Sequence, residues 1–224
     1  MTWIKICGIT NAEDAFAAVD AGAHALGFVF YQASPRRIDA HKASAIIARL
    51  PESIEKIGVF VNQAPEQVSS VADQAGLTAI QLHGDEYQDR SALPAGRRIL
   101  LAIPSAWLVK DGNGGAKMLM RVFTADNLLA LVVDSGSKEQ RGGTGSAFNW
   151  RSSAQAISQL EKRYAVVVAG GLTPDNVQEA IGVLHPWGVD VSSGVEASFG
   201  KKDPAKIRSF IQAVHVADQR NGKY

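Results

Sequence analysis

Asp134 ends an unbroken apolar run, Leu128 to Val133, and a polar, glycine-rich stretch follows it. A run that apolar is buried on both faces, as a parallel-sheet strand is. The carboxyl group therefore stands where a buried strand emerges. Residues 128–150, LLALVVDSGSKEQRGGTGSAFNW, then carry Gly136, Gly142, Gly143 and Gly145, with Thr144 and Ser146 among them. Glycine lets bare backbone N–H groups approach an anion closely. A carboxyl beside such a loop is half of an acid–base site, and a base is the missing half. Cys7, the one cysteine of the chain, ends another strand-like stretch, WIKICG at 3–8. A thiolate there would serve as base, although a lone strand cysteine is more often a small buried hydrophobe. Asp134 also has a plainer reading, as the opener of a turn.

Other chemistry-bearing residues fall at similar places. Arg36 and Arg37 follow the second apolar stretch, His83 ends the fourth, and Gly170 and Gly171 end the seventh. Asp190, Ser192, Ser193 and Gly194 close the eighth. The five histidines and single cysteine show no metal-ligand spacing.

The elements that must carry these residues alternate along the chain. Strands are expected at 3–8, 25–30, 56–61, 78–83, 97–103, 128–134, 164–170 and 188–194. Between them, Thr10 to Glu13 fits a capping box for a first helix, and helices are expected over about 39–50, from Pro65 to Gly76, and over 152–162. Thr173, with Pro174 behind it, is expected to cap the next helix, and a last helix covers 204–217. The segment 104–125, with its glycine cluster at 112–115, reads as a loop around 110–116 and then a short helix.

Eight strands in strand–helix alternation imply parallel pairing with right-handed crossovers. In 224 residues this predicts an α/β fold, a single-domain (β/α)₈ TIM barrel over 1–224. A doubly wound open sheet is the rival; it usually has fewer strands, and no G-x-G-x-x-G opens the first helix. In a barrel the active site gathers at the C-terminal strand ends. Strand parity then points Lys5 and Cys7 inward with Ile4 and Ile6 outward, and puts Asp190 and Ser192 on one face. Strands one and eight meet on closure, so Lys5 and Asp190 can pair. Cys7 and Asp134 would face each other across the mouth. Gly171 and the Ser193–Gly194 tip sit in loops seven and eight, where backbone N–H groups and a helix dipole suit a phosphate.

Composition narrows the class. Lys plus Arg number 23 against 22 for Asp plus Glu, so no charge bias points to nucleic acid or a membrane surface. One cysteine excludes an internal disulfide and suits a reducing cytoplasm. The N-terminal MTWIKICG is short and polar for a signal peptide, and no apolar run reaches membrane-spanning length. Helix faces show no large apolar patch, leaving a monomer or a homodimer as the expectation.

Several motifs also follow one another in order: KICGIT at 5–10, GFVFY at 27–31, SPRRI at 34–38, GVFVN at 58–62, QLHG at 81–84, VDS, GGTG and FNW within 133–150, AGGL at 169–172, and DVSSGVE at 190–196. The ordered set resembles the phosphoribosylanthranilate isomerases of tryptophan biosynthesis, from residue 5 to about 205. That resemblance implies a (β/α)₈ barrel, an Amadori rearrangement of a small phosphorylated substrate, and no cofactor or metal. It implies Cys7 as general base and Asp134 as general acid. Arg36 would take the anthranilate carboxylate, and His83, Gly143, Gly171, Asp190, Ser192, Ser193 and Gly194 would contact substrate. FNW replaces the more usual FDW, which reads as a loop-cap change. The chemistry would ask for a Cys7 pKa lowered by positive charge, with Lys5 as one source, and an Asp134 pKa raised by desolvation. The competing readings are another phosphate-binding barrel, such as an aldolase-like lyase, or a catalytically silent barrel that binds a phosphorylated ligand. No predicted strand ends in the lysine an aldolase would need.

Overall fold

The computed structural model describes residues 1–84, 97–109, 127–136 and 148–222. Eight parallel strands close into a barrel in sequence order, and the eighth is hydrogen-bonded back to the first. The first half comprises β1 Trp3–Cys7, α1 Ala12–Asp20, β2 Ala25–Val29, α2 Ala40–Ile47, β3 Glu55–Val61, α3 Pro65–Ala75 and β4 Ala79–His83. The second half runs β5 Arg98–Pro104, a four-residue α4 Ala106–Val109, β6 Leu128–Asp134, α5 Trp150–Glu161, β7 Val166–Ala169, α6 Val177–Leu184 and β8 Gly188–Val191. A single 3₁₀ turn, Ser193–Val195, leads into a hairpin of β9 Glu196–Ser198 and β10 Lys201–Lys202, and α7 Pro204–Arg220 ends the fold.

The expected strand parity is present. Ile4, Ile6, Leu26, Phe28, Phe60 and Ile80 face outward into the layer shared with the helices. Ala25, Ile57, Ala79, Leu100, Ala130, Val132, Val167 and Ala169 face inward and plug the barrel. Above the plug, Cys7, Val29 and Val59 pack together with Tyr31 at the C-terminal mouth. The site is thus built on a solid apolar floor. Its side chains stand on strand ends held by ladder bonds on both sides.

Helix starts differ from expectation in two places. Asn11, not Thr10, caps α1: its Oδ1 accepts from the Asp14 backbone N–H at 2.8 Å. The Thr10 hydroxyl is committed elsewhere, donating to the Gly200 carbonyl at 2.6 Å. Thr173 likewise does not cap α6. Asn176 accepts from the Thr173 N–H at 2.8 Å and donates to the Gly171 carbonyl at 2.9 Å. That closes a turn around Pro174 and delays the helix to Val177. Asn149 of the FNW motif does cap α5, accepting from the Ser152 N–H at 3.1 Å. The loop and short helix expected within 110–126 lie outside the described residues.

Candidate active site

A cavity opens at the C-terminal mouth of the barrel. Cys7, Arg36, His83 and Asp134 line it, as do Gly171, Asp190, Ser192 and Ser193. Among the described residues, one expected site residue, Gly194, is not among its lining. It lies backbone to backbone on loop seven, where a Cβ would come within 1.9 Å of the Leu172 carbonyl oxygen. It therefore welds loops seven and eight together. Gly143, with the rest of the 137–147 glycine stretch, lies outside the described residues. The helix dipole expected beneath the phosphate is also not there. The segment after β8 is one 3₁₀ turn of three residues, too short for a macrodipole, so any anion there meets individual N–H groups.

Cys7 and Lys5 share the inward face of β1. Across the β1–β8 seam Lys5 stands opposite Asp190, and its Nζ donates to Asp190 Oδ2 at 2.7 Å. Lys5 is fully buried. Gly27 on β2 makes room for both side chains: a Cβ there would meet the Cys7 sulfur at 2.7 Å and Lys5 Cε at 3.1 Å. A glycine inside a strand here marks a close approach. Asp190 keeps its other carboxylate oxygen, Oδ1, buried at the cavity wall with no hydrogen-bond partner among the described residues.

Burial dominates the electrostatics of this corner. It pushes the Cys7 thiol above its usual pKa, and the Lys5 ammonium offsets only part of that. Without substrate the thiol thus lies above, not below, its usual value, because desolvation of a thiolate outweighs the pull of Lys5, itself neutralised by Asp190, and of Lys202. Burial works against the Lys5 charge too, but Asp190 and Cys7 together carry the ammonium above its ordinary value. Asp134 follows the expectation: desolvation at the strand tip raises its carboxyl pKa, against the Gly136 N–H that donates to Oδ1 at 3.1 Å. Lys5→Met removes the strongest stabiliser of the thiolate among the described residues and leaves only the weaker pull of Lys202. Alkylation of the sole cysteine by iodoacetamide should then slow, by about threefold for each pKa unit gained because the rarer thiolate is also more nucleophilic, and unchanged labelling would show that Lys5 does not act on the thiol.

Sequence reasoning missed three residues at the site. Gln81 lies on β4 two residues before His83, and its amide nitrogen sits 2.7 Å from His83 Nε2. Glu196 takes Arg36 Nε at 2.7 Å and Nη2 at 2.8 Å, and Lys202 Nζ donates to the same carboxylate at 3.0 Å. Glu196 ends the DVSSGVE motif, which was signal enough. Lys202, inside KKD, reads in the sequence as a surface lysine. Val29, Val59, Val61 and Tyr31 add an apolar stretch to the same cavity lining. Among the described residues no group of three or more His, Cys, Asp or Glu could hold a metal.

A cavity with a thiol, a carboxyl group, a buried guanidinium and glycine loops on one barrel mouth invites comparison with known proteins. Residues 4–213 match the family described as N-(5'phosphoribosyl)anthranilate (PRA) isomerase. The chain belongs to the PRA isomerase family. It is an isomerase of tryptophan biosynthesis. The N-(5'-phosphoribosyl)anthranilate isomerase of Pelobacter propionicus is 46% identical over 212 residues, covering 95% of each chain. Among solved structures, the phosphoribosyl anthranilate isomerase of Thermotoga maritima superposes with a TM-score of 0.80 at 37% identity, covering 96% of this chain and all of that one. A PRA isomerase in complex with reduced 1-(o-carboxyphenylamino)-1-deoxyribulose 5-phosphate gives 0.74 at 34% identity, with 96% and 100% coverage. No helix among the described residues is long and apolar enough to cross a membrane.

Proposed function

We propose that this chain converts N-(5′-phosphoribosyl)anthranilate to 1-(2-carboxyphenylamino)-1-deoxyribulose 5-phosphate, with Cys7 as general base and Asp134 as general acid. The observation that carries the assignment is that both groups border one cavity, from the non-adjacent strands β1 and β6, so one bound molecule can lie between them. Protonated Asp134 gives its proton to the furanose ring oxygen. The C1′–O bond breaks as the anilino nitrogen pair forms the iminium. The Cys7 thiolate then removes the C2′ proton, and that electron pair neutralises the iminium to give an enolamine. Protonation at C1′ and loss of the 2′-hydroxyl proton leave the ketone. The proton that Asp134 releases is matched by the one Cys7 collects.

The rest of the cavity fits the two ends of this substrate. Arg36 offers a guanidinium fork to the aromatic carboxylate, and the valines of the same lining offer an apolar wall to the ring. Gly171 and Ser193 offer backbone N–H groups to the phosphate dianion. The Asp190 Oδ1 atom can accept from a ribose hydroxyl or the anilino N–H, and His83 can reach the sugar from β4. A buried ion pair such as Lys5–Asp190 is weak as a stability device, so its position under Cys7 suits a role in the reaction. The small phosphorylated substrate is the one partner the site calls for. Expression in a tryptophan auxotroph lacking this isomerase step tests the proposal. Growth without tryptophan is expected; no growth from a folded, well-expressed chain would defeat it.

A further inference from the structure

Arg36 is held on a fixed edge. Its Nε and Nη2 donate to the two oxygens of Glu196 at 2.7 and 2.8 Å. Of the five N–H donors of a guanidinium, that side-on pairing leaves those at the far end of the fork. Its stem packs over Gly8, at φ +79°, where a Cβ would come within 2.7 Å of Arg36 Cδ. Glu196 is itself anchored. Lys202, its partner at the root of the β9–β10 hairpin, donates from Nζ to Glu196 Oε1 at 3.0 Å and to the Ser192 carbonyl at 3.1 Å. The Lys202 backbone N–H donates to Asp14 Oδ2 at 2.8 Å. Glu196 is 8% exposed and Lys202 1%. Apolar residues would hold a hairpin down at lower desolvation cost than three buried charges. What the charges supply is direction.

We propose that Glu196 is a positioning residue that fixes the edge Arg36 presents to the aromatic carboxylate of the substrate, with the hairpin serving as its mount through Lys202. This rests on the reading of Arg36 as the carboxylate ligand. It assigns the 196–202 hairpin to discrimination for the ortho-acid half of the molecule, separate from the phosphate loops.

The test compares binding of the reduced product analogue with that of its counterpart lacking the ring carboxylate. Glu196→Asp is the variant of choice, because it keeps the charge that Arg36 and Lys202 require but draws the carboxylate back by one methylene. It should weaken the carboxylated analogue by about tenfold, the scale of one charge-assisted hydrogen bond, and leave the des-carboxy analogue within about twofold. KM should rise in step while kcat holds. Arg36→Ala should abolish the preference, and adding Glu196→Asp to it should change nothing further. In the wild type, the Arg36 Nη–H resonances should shift with the carboxylated analogue alone while Nε–H keeps its Glu196-bound position, a readout that needs no variant to fold. Equal weakening of both analogues, additive effects or an Nε–H resonance that moves off its Glu196-bound position would overturn the positioning role while leaving Arg36 as ligand. A preference that survives Arg36→Ala would overturn the carboxylate reading and the positioning role with it.

Discussion

Cys7→Ala is expected to lower kcat by about 10³-fold, within the range a general base contributes, with KM changed only a few-fold. The thiol has no charged part of the substrate to hold, so its loss removes a transition-state interaction and little ground-state binding. Steady-state kinetics on the purified variant check this. Turnover within about tenfold of wild type would remove Cys7 from the mechanism, since general-base losses do not run that small.

Asp134→Asn is expected to cost a similar factor, about 10²- to 10⁴-fold in kcat, and to change the shape of the pH profile. Both pKa values are raised by burial, the carboxyl from its low starting point and the thiol from its high one. The productive form has the thiol ionised and the carboxyl protonated, the reverse of the ground-state order. One proton is therefore shared by the pair across the window between the two pKa values. In wild type kcat/KM should climb with pH below the Asp134 pKa and level off between the two. It should fall above the Cys7 pKa, as protonated Asp134 runs out. An asparagine never ionises, so the variant's residual activity should keep rising through the plateau region up to the thiol pKa, with no alkaline fall. A variant profile that keeps the wild-type plateau would assign the acid role elsewhere.

Much of this site was legible in the sequence because a barrel turns chain order into geometry. Once eight strands were read, each strand's last residues had to meet at one mouth, and period-two alternation pointed Lys5 and Cys7 inward. The Lys5–Asp190 contact followed from closure of β8 on β1. What stayed hidden depended on long-range competition. Thr10 and Asn11 are both good caps, and the choice was made by Gly200, far along the chain, which claims the threonine hydroxyl. Thr173 lost its helix to Asn176, whose amide folds the loop back on Gly171. The sign of the Cys7 shift could not be read because it balances burial against Lys5, and Lys5 is itself spent on Asp190. The β9–β10 hairpin left no periodic signal, since strands of three and two residues are too short to alternate. With it went the clue that Lys202 is buried.

The most direct test is a crystal structure with the reduced product analogue bound. The Cys7 sulfur should lie within about 4 Å of C2′ and the Asp134 carboxyl within about 3 Å of the former ring oxygen, the reach that proton transfer requires. The two should approach from different sides, with the phosphate on loops seven and eight. A sulfur facing the phosphate, or a carboxyl beyond reach of that oxygen, would contradict the assignment of base and acid.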